Sequence, residues 1–214
     1  WQAMLPSLPH LTAAEFNEAC EQLQAAFKSK GHKQEIWTSV DTIHQDDTQY
    51  LRITKALKTE PATPNIDDDD DEIDQLEEAD NEALPPSPPQ PIISYDIILS
   101  PTYLVPTLYI HITDPLHRYP PTIPTLHAHL IPPAYRSQTD SVGVMGGVSI
   151  TDHPVTGRPV FFIHPCQTAG VMQEVLKGAM GKGNVTPQEY VLLWIGALGG
   201  CVGLNVPLEL VRAK

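Results

Sequence analysis

The sequence has few cysteines, and their number and spacing argue against a fold held together by disulfides. Its 214 residues contain three, at Cys20, Cys166 and Cys201. An odd number of cysteines this far apart is not a disulfide framework and indicates a reducing compartment, in which thiols stay free. The sequence contains no Cys-x-x-Cys pair, so a thioredoxin-like redox function is also excluded.

Basic residues and long apolar runs are scarce as well. The chain has 13 Lys and Arg against 26 Asp and Glu, and twelve of these acids lie between residues 60 and 91. The rest of the chain is nearly neutral and shows no basic stripe, so nucleic acid is not an expected partner. No apolar run is long enough to cross a bilayer and no signal-peptide pattern opens the sequence, so we expect no transmembrane segment.

Residues 58–91 have few of the large apolar side chains that folding requires. They hold seven prolines and a run of five aspartates. Such a composition cannot bury enough surface to offset the entropy of ordering. We therefore predict a disordered acidic insertion within a single domain that spans residues 1–214. The insertion is either a docking segment for a basic partner or a solvated spacer, and spacers are the commoner case.

Two capping boxes predict where helices begin. The first, Thr12–Glu15, precedes an apolar stripe that predicts a helix over residues 13–29. The second, Thr186–Glu189, precedes apolar residues at helical spacing that end before a pair of glycines. Cys20 falls within the first apolar stripe, and Cys201 lies in an apolar stretch after the second helix. Both are expected to be buried, with no role beyond packing.

Alternating apolar and polar residues predict an antiparallel sheet, followed by C-terminal helices. A short helix is expected over residues 122–130, where His127 and His129 have no evident third partner, so no metal site is predicted. The order of elements is typical of an α+β fold with helices segregated on a sheet. The candidate strands cover residues 36–43, 48–57, 92–99, 105–113 and, weakened by glycines, 142–150.

Cys166 lies where a short apolar strand passes into a helix. Residues 160–163 are apolar, Pro165 stiffens the following turn, and apolar residues repeat at helical spacing from Val171 onward. With Thr168 as N-cap, the thiol would stand just ahead of the first turn. There the positive helix end and free amide donors favour a thiolate. A small buried cysteine is the alternative, but the stiff junction favours a nucleophile.

Three groups of residues around this junction resemble the autophagy E2-like conjugating enzymes, whose active-site signature is His-Pro-Cys. The resemblance spans residues 95–207. It implies an E2-like fold: an antiparallel sheet with an N-terminal helix, and C-terminal helices after the catalytic cysteine. The groups are Tyr95-Asp96 with Ser100-Pro-Thr-Tyr103-Leu-Val-Pro106-Thr-Leu-Tyr109, His153-Pro154 with Gly157 to His164-Pro165-Cys166, and Trp194 with Val202-Gly-Leu-Asn205-Val-Pro207.

The resemblance also implies an activity, its partners and a place in the cell. Cys166 would accept the ubiquitin-like autophagy-related protein twelve as a thioester from the E1-like autophagy-related protein seven. It would then pass it to a lysine of autophagy-related protein five during autophagosome formation, without a cofactor. Such a protein is cytoplasmic and can be recruited to the pre-autophagosomal site. The sibling enzyme that joins a ubiquitin-like protein to phosphatidylethanolamine, and a non-catalytic binding module, remain alternatives.

Further catalytic residues follow from the same resemblance. Ubiquitin E2 enzymes carry His-Pro-Asn upstream of their cysteine, whereas this chain has His153-Pro154-Val155, so that amide is absent. Tyr103 matches a tyrosine of the family motif and is the first candidate to stabilise the oxyanion, with edge packing as the alternative. His153 is the second candidate, unless it caps a turn. His164 is expected to shape the turn by hydrogen bonding rather than to act as a base.

Overall fold

A computed structural model describes residues 8–58, 89–136, 147–180 and 185–211. Within these ranges, six antiparallel strands form one sheet in the order β1-β2-β3-β4-β6-β5. The strands are β1 Ser39–Gln45, β2 Thr48–Ala56, β3 Ile92–Leu99, β4 Pro106–Thr113, β5 Val148–Asp152 and β6 Pro159–Ile163. The longer helices are α1 Ala13–Lys30, α2 Thr168–Met180 and α3 Pro187–Leu198. Short helical turns cover Gly31–Lys33, Ile123–Thr125, Leu126–Leu130, Pro165–Gln167, Gly199–Val202 and Leu208–Val211.

This architecture confirms the predicted α+β class, with a helix before the sheet and helices after the cysteine. The predicted bounds of β2, β3 and β4 agree with the structure to within one residue at each end. The short helix expected over residues 122–130 is present as two consecutive helical turns. The strand predicted over residues 142–150 begins only at Val148, and residues 142–146 lie outside the described part. Most of the predicted acidic insertion, residues 59–88, also lies outside it.

Both predicted capping boxes are formed. The amide of Glu15 donates to Thr12 Oγ1 at 3.2 Å, and the Thr12 amide donates to Glu15 Oε2 at 2.7 Å. Thr186 and Glu189 repeat this exchange at 2.8 and 3.2 Å ahead of α3. Each box satisfies two backbone donors that a helix N-terminus leaves free, so local sequence fixes where these helices begin.

The two faces of the sheet differ in chemistry. One face contributes Leu51, Tyr95 and Ile110 to a hydrophobic core shared with α1 and α3. Cys20 of α1 lies in this core with no exposed surface, and burial raises the pKa of its thiol to about 12, as expected for a packing residue. The opposite face carries a polar cluster around Asp96, which is fully buried.

Strand β6 lies between β4 and β5 and positions the cysteine junction. Ile163 pairs with Leu108 of β4 and with Val148 of β5. The following amide, of His164, donates to the Gly147 carbonyl oxygen at 3.2 Å. Because neighbours on both sides hold this end of β6, the turn that follows leaves the sheet in a fixed direction.

Candidate active site

Cys166 occupies an exposed turn between strand β6 and helix α2. The Pro165–Gln167 turn leads straight into α2 without a break. Pro165 is buried and anchors the turn, whereas Cys166 is exposed. Of the three cysteines, Cys20 is buried, and Cys201 is half-buried rather than buried as expected, with Sγ donating to the Leu198 carbonyl at 3.1 Å. Cys166 is therefore the thiol that a large partner can reach.

The residue that caps this turn is His164, and the prediction that Thr168 is the N-cap is wrong. Thr168 has helical dihedral angles, φ −60° and ψ −45°, so it already belongs to the helix. His164 is extended, and its Nδ1 accepts the Cys166 amide hydrogen at 3.1 Å. Cys166 thus lies inside the first turn rather than ahead of it. His164 Nδ1 thus holds this turn through one hydrogen bond to the backbone.

Tyr103 is brought to the same place from a distant part of the chain. It lies in the loop between β3 and β4, and its side chain is 40% exposed. Its ring meets the His164 ring edge to face, with centroids 5.6 Å apart, while Phe162 contacts the other side of His164 at 5.7 Å. His164 therefore links the Tyr103 ring to the Cys166 turn. Three of the four predicted site residues lie together.

His153, the fourth, lies in a different environment. Its side chain is buried, and its Nδ1 accepts the amide hydrogens of Val155 and Thr156, each at 3.2 Å. Its Nε2 faces Asp96 Oδ2 at 3.2 Å. Because Nδ1 accepts two hydrogen bonds, Nε2 carries the proton, and neither nitrogen can take one from a substrate. This geometry supports the turn-capping alternative over a catalytic role.

Asp96 is the centre of the cluster that holds His153, and sequence reasoning gave it no function. Arg52 on the neighbouring strand binds it with two hydrogen bonds, of 2.6 and 2.7 Å. Burial alone would raise the pKa of Asp96, but the two hydrogen bonds from Arg52 and the nearby imidazole of His153 outweigh it and lower this pKa. The polar alternation of Arg52 and Asp96 within apolar strands is the signal that could have located this cluster.

A cavity formed by the described residues is separate from the cysteine turn. It has a volume of about 750 Å³, lies on the polar face of the sheet, and is lined in part by Arg52, His111 and Asp114. Neither Tyr103 nor Cys166 lines it. An exposed thiol on a rigid turn suits a reaction with a macromolecule, which needs open access rather than an enclosed pocket.

Within the described ranges, no group of three possible metal ligands is found, and no helix is long and apolar enough to span a membrane.

Comparison with known proteins gives consistent matches. The family model described as "Autophagocytosis associated protein, active-site domain" matches residues 15–209. A Gibberella zeae protein named ubiquitin-like-conjugating enzyme ATG10 is 36% identical over 120 residues, which cover 56% of this chain and 48% of that protein. The human protein of the same name is 40% identical over 63 residues, 29% of this chain and 27% of that protein. A crystal structure of an autophagic E2, Atg10, aligns with a TM-score of 0.40 and 16% identity, covering 89% of this chain and 97% of that chain. Each alignment with a curated relative spans about half of that relative's length or less.

Proposed function

The chain belongs to the autophagocytosis-associated protein active-site family, and we propose that it is an E2-like conjugating enzyme that uses Cys166 as its nucleophile. The observation that carries this proposal is the exposed Cys166 thiol in the first turn after β6, held by the His164 cap. Thiols are nucleophilic near neutral pH and are also good leaving groups, so one side chain serves both steps of an acyl relay.

In the first step, the chain would take over an activated ubiquitin-like protein. The Cys166 sulfur attacks the thioester carbonyl that joins the ubiquitin-like protein to its activating enzyme. The carbon–sulfur bond to the activating enzyme breaks, and that enzyme's thiol takes up the proton that Cys166 gives up. The new bond is again a thioester, so the step needs neither ATP nor a metal on this chain.

In the second step, a lysine amine displaces Cys166 and forms an isopeptide bond. The tetrahedral intermediate carries a negative oxygen, which needs a hydrogen-bond donor. Its collapse breaks the carbon–sulfur bond, and in the net reaction the proton that the amine loses is taken up by the released Cys166 thiolate. His164 accepts at Nδ1, so its neutral form carries a proton on Nε2 and offers a donor rather than a base. The Tyr103 hydroxyl, on the ring that contacts His164, is our first candidate for the oxyanion donor.

The partners in this proposal are autophagy-related proteins seven, twelve and five, as activating enzyme, ubiquitin-like protein and acceptor. Support comes from the relatives, four of which are named ubiquitin-like-conjugating enzyme ATG10. Further support comes from the Val202–Pro207 tail, which resembles the protein-to-protein enzyme more than its lipid-conjugating sibling. The proposed location is the cytoplasm, with recruitment to the pre-autophagosomal site.

A loading and chase experiment tests the proposal. The purified chain is loaded with autophagy-related protein twelve, or with the ubiquitin-like protein of the sibling enzyme, by the E1-like enzyme and ATP. After the E1 is quenched, autophagy-related protein five or vesicles containing phosphatidylethanolamine are added. We expect loading with protein twelve and transfer to protein five. Transfer only to the vesicles would identify the lipid-conjugating sibling, and binding without any adduct would identify a non-catalytic module.

A further inference from the structure

A short segment ahead of α1, residues 9–11, contacts the loop that carries Tyr103. We call it the N-terminal strap. The Leu11 amide donates to the Leu104 carbonyl oxygen at 2.8 Å. His10 Nδ1 lies 3.1 Å from the Tyr103 carbonyl oxygen. A carbonyl oxygen can only accept, so His10 Nδ1 is the donor in this bond. Two successive carbonyls of the Tyr103 loop are therefore held from outside the loop.

The strap is itself fixed to the body of the protein. Leu11 has no exposed surface and belongs to the hydrophobic core. The Tyr190 hydroxyl of α3 donates to the Pro9 carbonyl oxygen at 2.6 Å. A segment anchored at both ends can hold a loop in place, whereas a free terminus could not.

The Tyr103 loop needs such support, because one of its residues has an unfavourable backbone. Leu104 has a φ of 53°, a conformation that residues with a Cβ adopt only at an energetic cost. Within the loop, the Leu104 amide donates to the Ser100 carbonyl at 2.8 Å and the Ser100 amide to the Val105 carbonyl at 3.0 Å. The Tyr103 amide also donates to Ser100 Oγ at 3.2 Å. Strained residues persist where their surroundings determine the conformation, and they cluster at functional sites.

We propose that His10 is a positioning residue for the second acyl transfer. Its hydrogen bond, with that of Leu11, keeps the Tyr103 ring against His164 and so beside Cys166. This inference rests on the proposed function for its effect on catalysis, but not for its effect on the loop. Loss of the His10 donor frees the Tyr103 carbonyl and loosens the loop. Loading of Cys166 should be unaffected, because among the described residues no hydrogen bond joins the strap to Cys166 or to its His164 cap.

The first test concerns the loop alone. Hydrogen–deuterium exchange is followed at the Leu104 amide in the native chain and in three variants. We expect His10→Ala to speed exchange by about fivefold, the effect of losing one hydrogen bond of ordinary strength. His10→Asn should restore protection, because its amide nitrogen replaces Nδ1. His32→Ala, at an exposed histidine after α1, is the matched control and should change nothing. Unchanged exchange in His10→Ala would overturn the inference.

The second test concerns the transfer step and uses a double-mutant cycle. Single-turnover transfer from the loaded chain should slow by about fivefold in His10→Ala, with loading unchanged and with recovery in His10→Asn. In a Tyr103→Phe background, His10→Ala should have little further effect, since both changes act through the same hydroxyl. A full additional loss in that background would contradict the positioning role. If the chain does not load at all, the proposed function fails, while the exchange experiment still decides what the strap does.

Discussion

Two His-Pro pairs lie eleven residues apart in this chain, His153-Pro154 and His164-Pro165. Both histidines accept backbone amide hydrogens at Nδ1 and thereby hold a turn. Their surroundings differ. His153 is buried against Asp96, whereas His164 is exposed between Tyr103 and the turn of Cys166.

The comparison shows that the dipeptide determines the turn, and that tertiary contacts determine what the turn is used for. On the other side of the His153 ring, Nε2 and Arg52 face one buried carboxylate, that of Asp96. Around His164, the same local geometry presents a thiol to solvent. We therefore expect changes at the buried pair to alter stability, and changes at the exposed pair to alter acyl transfer.

The largest difference should appear in thiol reactivity. We expect iodoacetamide to alkylate Cys166 of the native chain more than roughly 100-fold faster than Cys20, because Cys20 is accessible only when the core opens. Peptide mass spectrometry over a time course measures both rates, and Cys201 should fall between them. Equal rates for Cys20 and Cys166 would contradict the difference in burial.

The next effect concerns Arg52. Arg52→Met should lower the free energy of unfolding by roughly 3 kcal/mol, because it leaves the buried carboxylate of Asp96 without its main partner. Urea denaturation of the native chain and the variant measures this difference in the free energy of unfolding. Lys177→Met is the control, since Lys177 pairs with Glu174 at an exposed site, and its effect should be within about 0.5 kcal/mol. A loss of stability as small as that of the control would mean that Asp96 is not effectively buried.

Replacing each histidine by alanine tests the comparison directly. His153→Ala should cost about 2 kcal/mol of stability, because two partly buried amides lose their acceptor and the buried Asp96 loses a neighbour. The folded variant should still load Cys166.

His164→Ala should cost less than about 1 kcal/mol of stability, since it removes one hydrogen bond, from the Cys166 amide, at an exposed site. Transfer from Cys166 should nevertheless slow. His164→Asn supplies an oxygen at the position of Nδ1 and should restore much of the rate. A slower transfer in His153→Ala, together with a large loss of stability in His164→Ala, would contradict the comparison.

A smaller effect should appear in the pH dependence of stability. The pKa of Asp96 is lowered from its ordinary value of 3.8, so its contribution is present above that value and is lost as pH falls through the lower folded pKa. Burial lowers the pKa of His111 from 6.5, so protonation below pH 6.5 also favours unfolding. The urea midpoint should therefore fall as pH is lowered from 7 to 3. Asp96→Asn should reduce the loss below about pH 4, where Asp114, whose pKa Arg118 also lowers, still contributes, and His111→Gln should reduce the loss near pH 6. A urea midpoint that rises on acidification would contradict the direction of both pKa shifts.

Much of the fold could be predicted because its signals are local. The Thr12 and Thr186 capping boxes are contained within four residues each, and the alternation in β4 needs no knowledge of its partners. The cysteine junction was located for the same reason. The error at Thr168 arose because threonine is a common N-cap, and the competing acceptor, a histidine ring, is a rarer one.

The remaining features depend on contacts between distant parts of the chain. Arg52 and Asp96 are 44 residues apart, and His10 lies 93 residues from Tyr103. No local pattern indicates that His153 meets a buried carboxylate or that the strap supports the Tyr103 loop. These pairs meet only in the folded chain, so local sequence patterns do not reveal what these side chains do.

The most direct test of the account is the chemical state of Cys166 after reaction with an activated ubiquitin-like protein. The chain is incubated with the E1-like enzyme, ATP and autophagy-related protein twelve, and the adduct is mapped by intact-mass and peptide mass spectrometry. We predict a reductant-sensitive thioester on Cys166, replaced in Cys166→Ser by an ester that resists reductant, with Cys20→Ser and Cys201→Ser still forming the thioester. No adduct on the native chain, or an adduct that persists in Cys166→Ala, would contradict it.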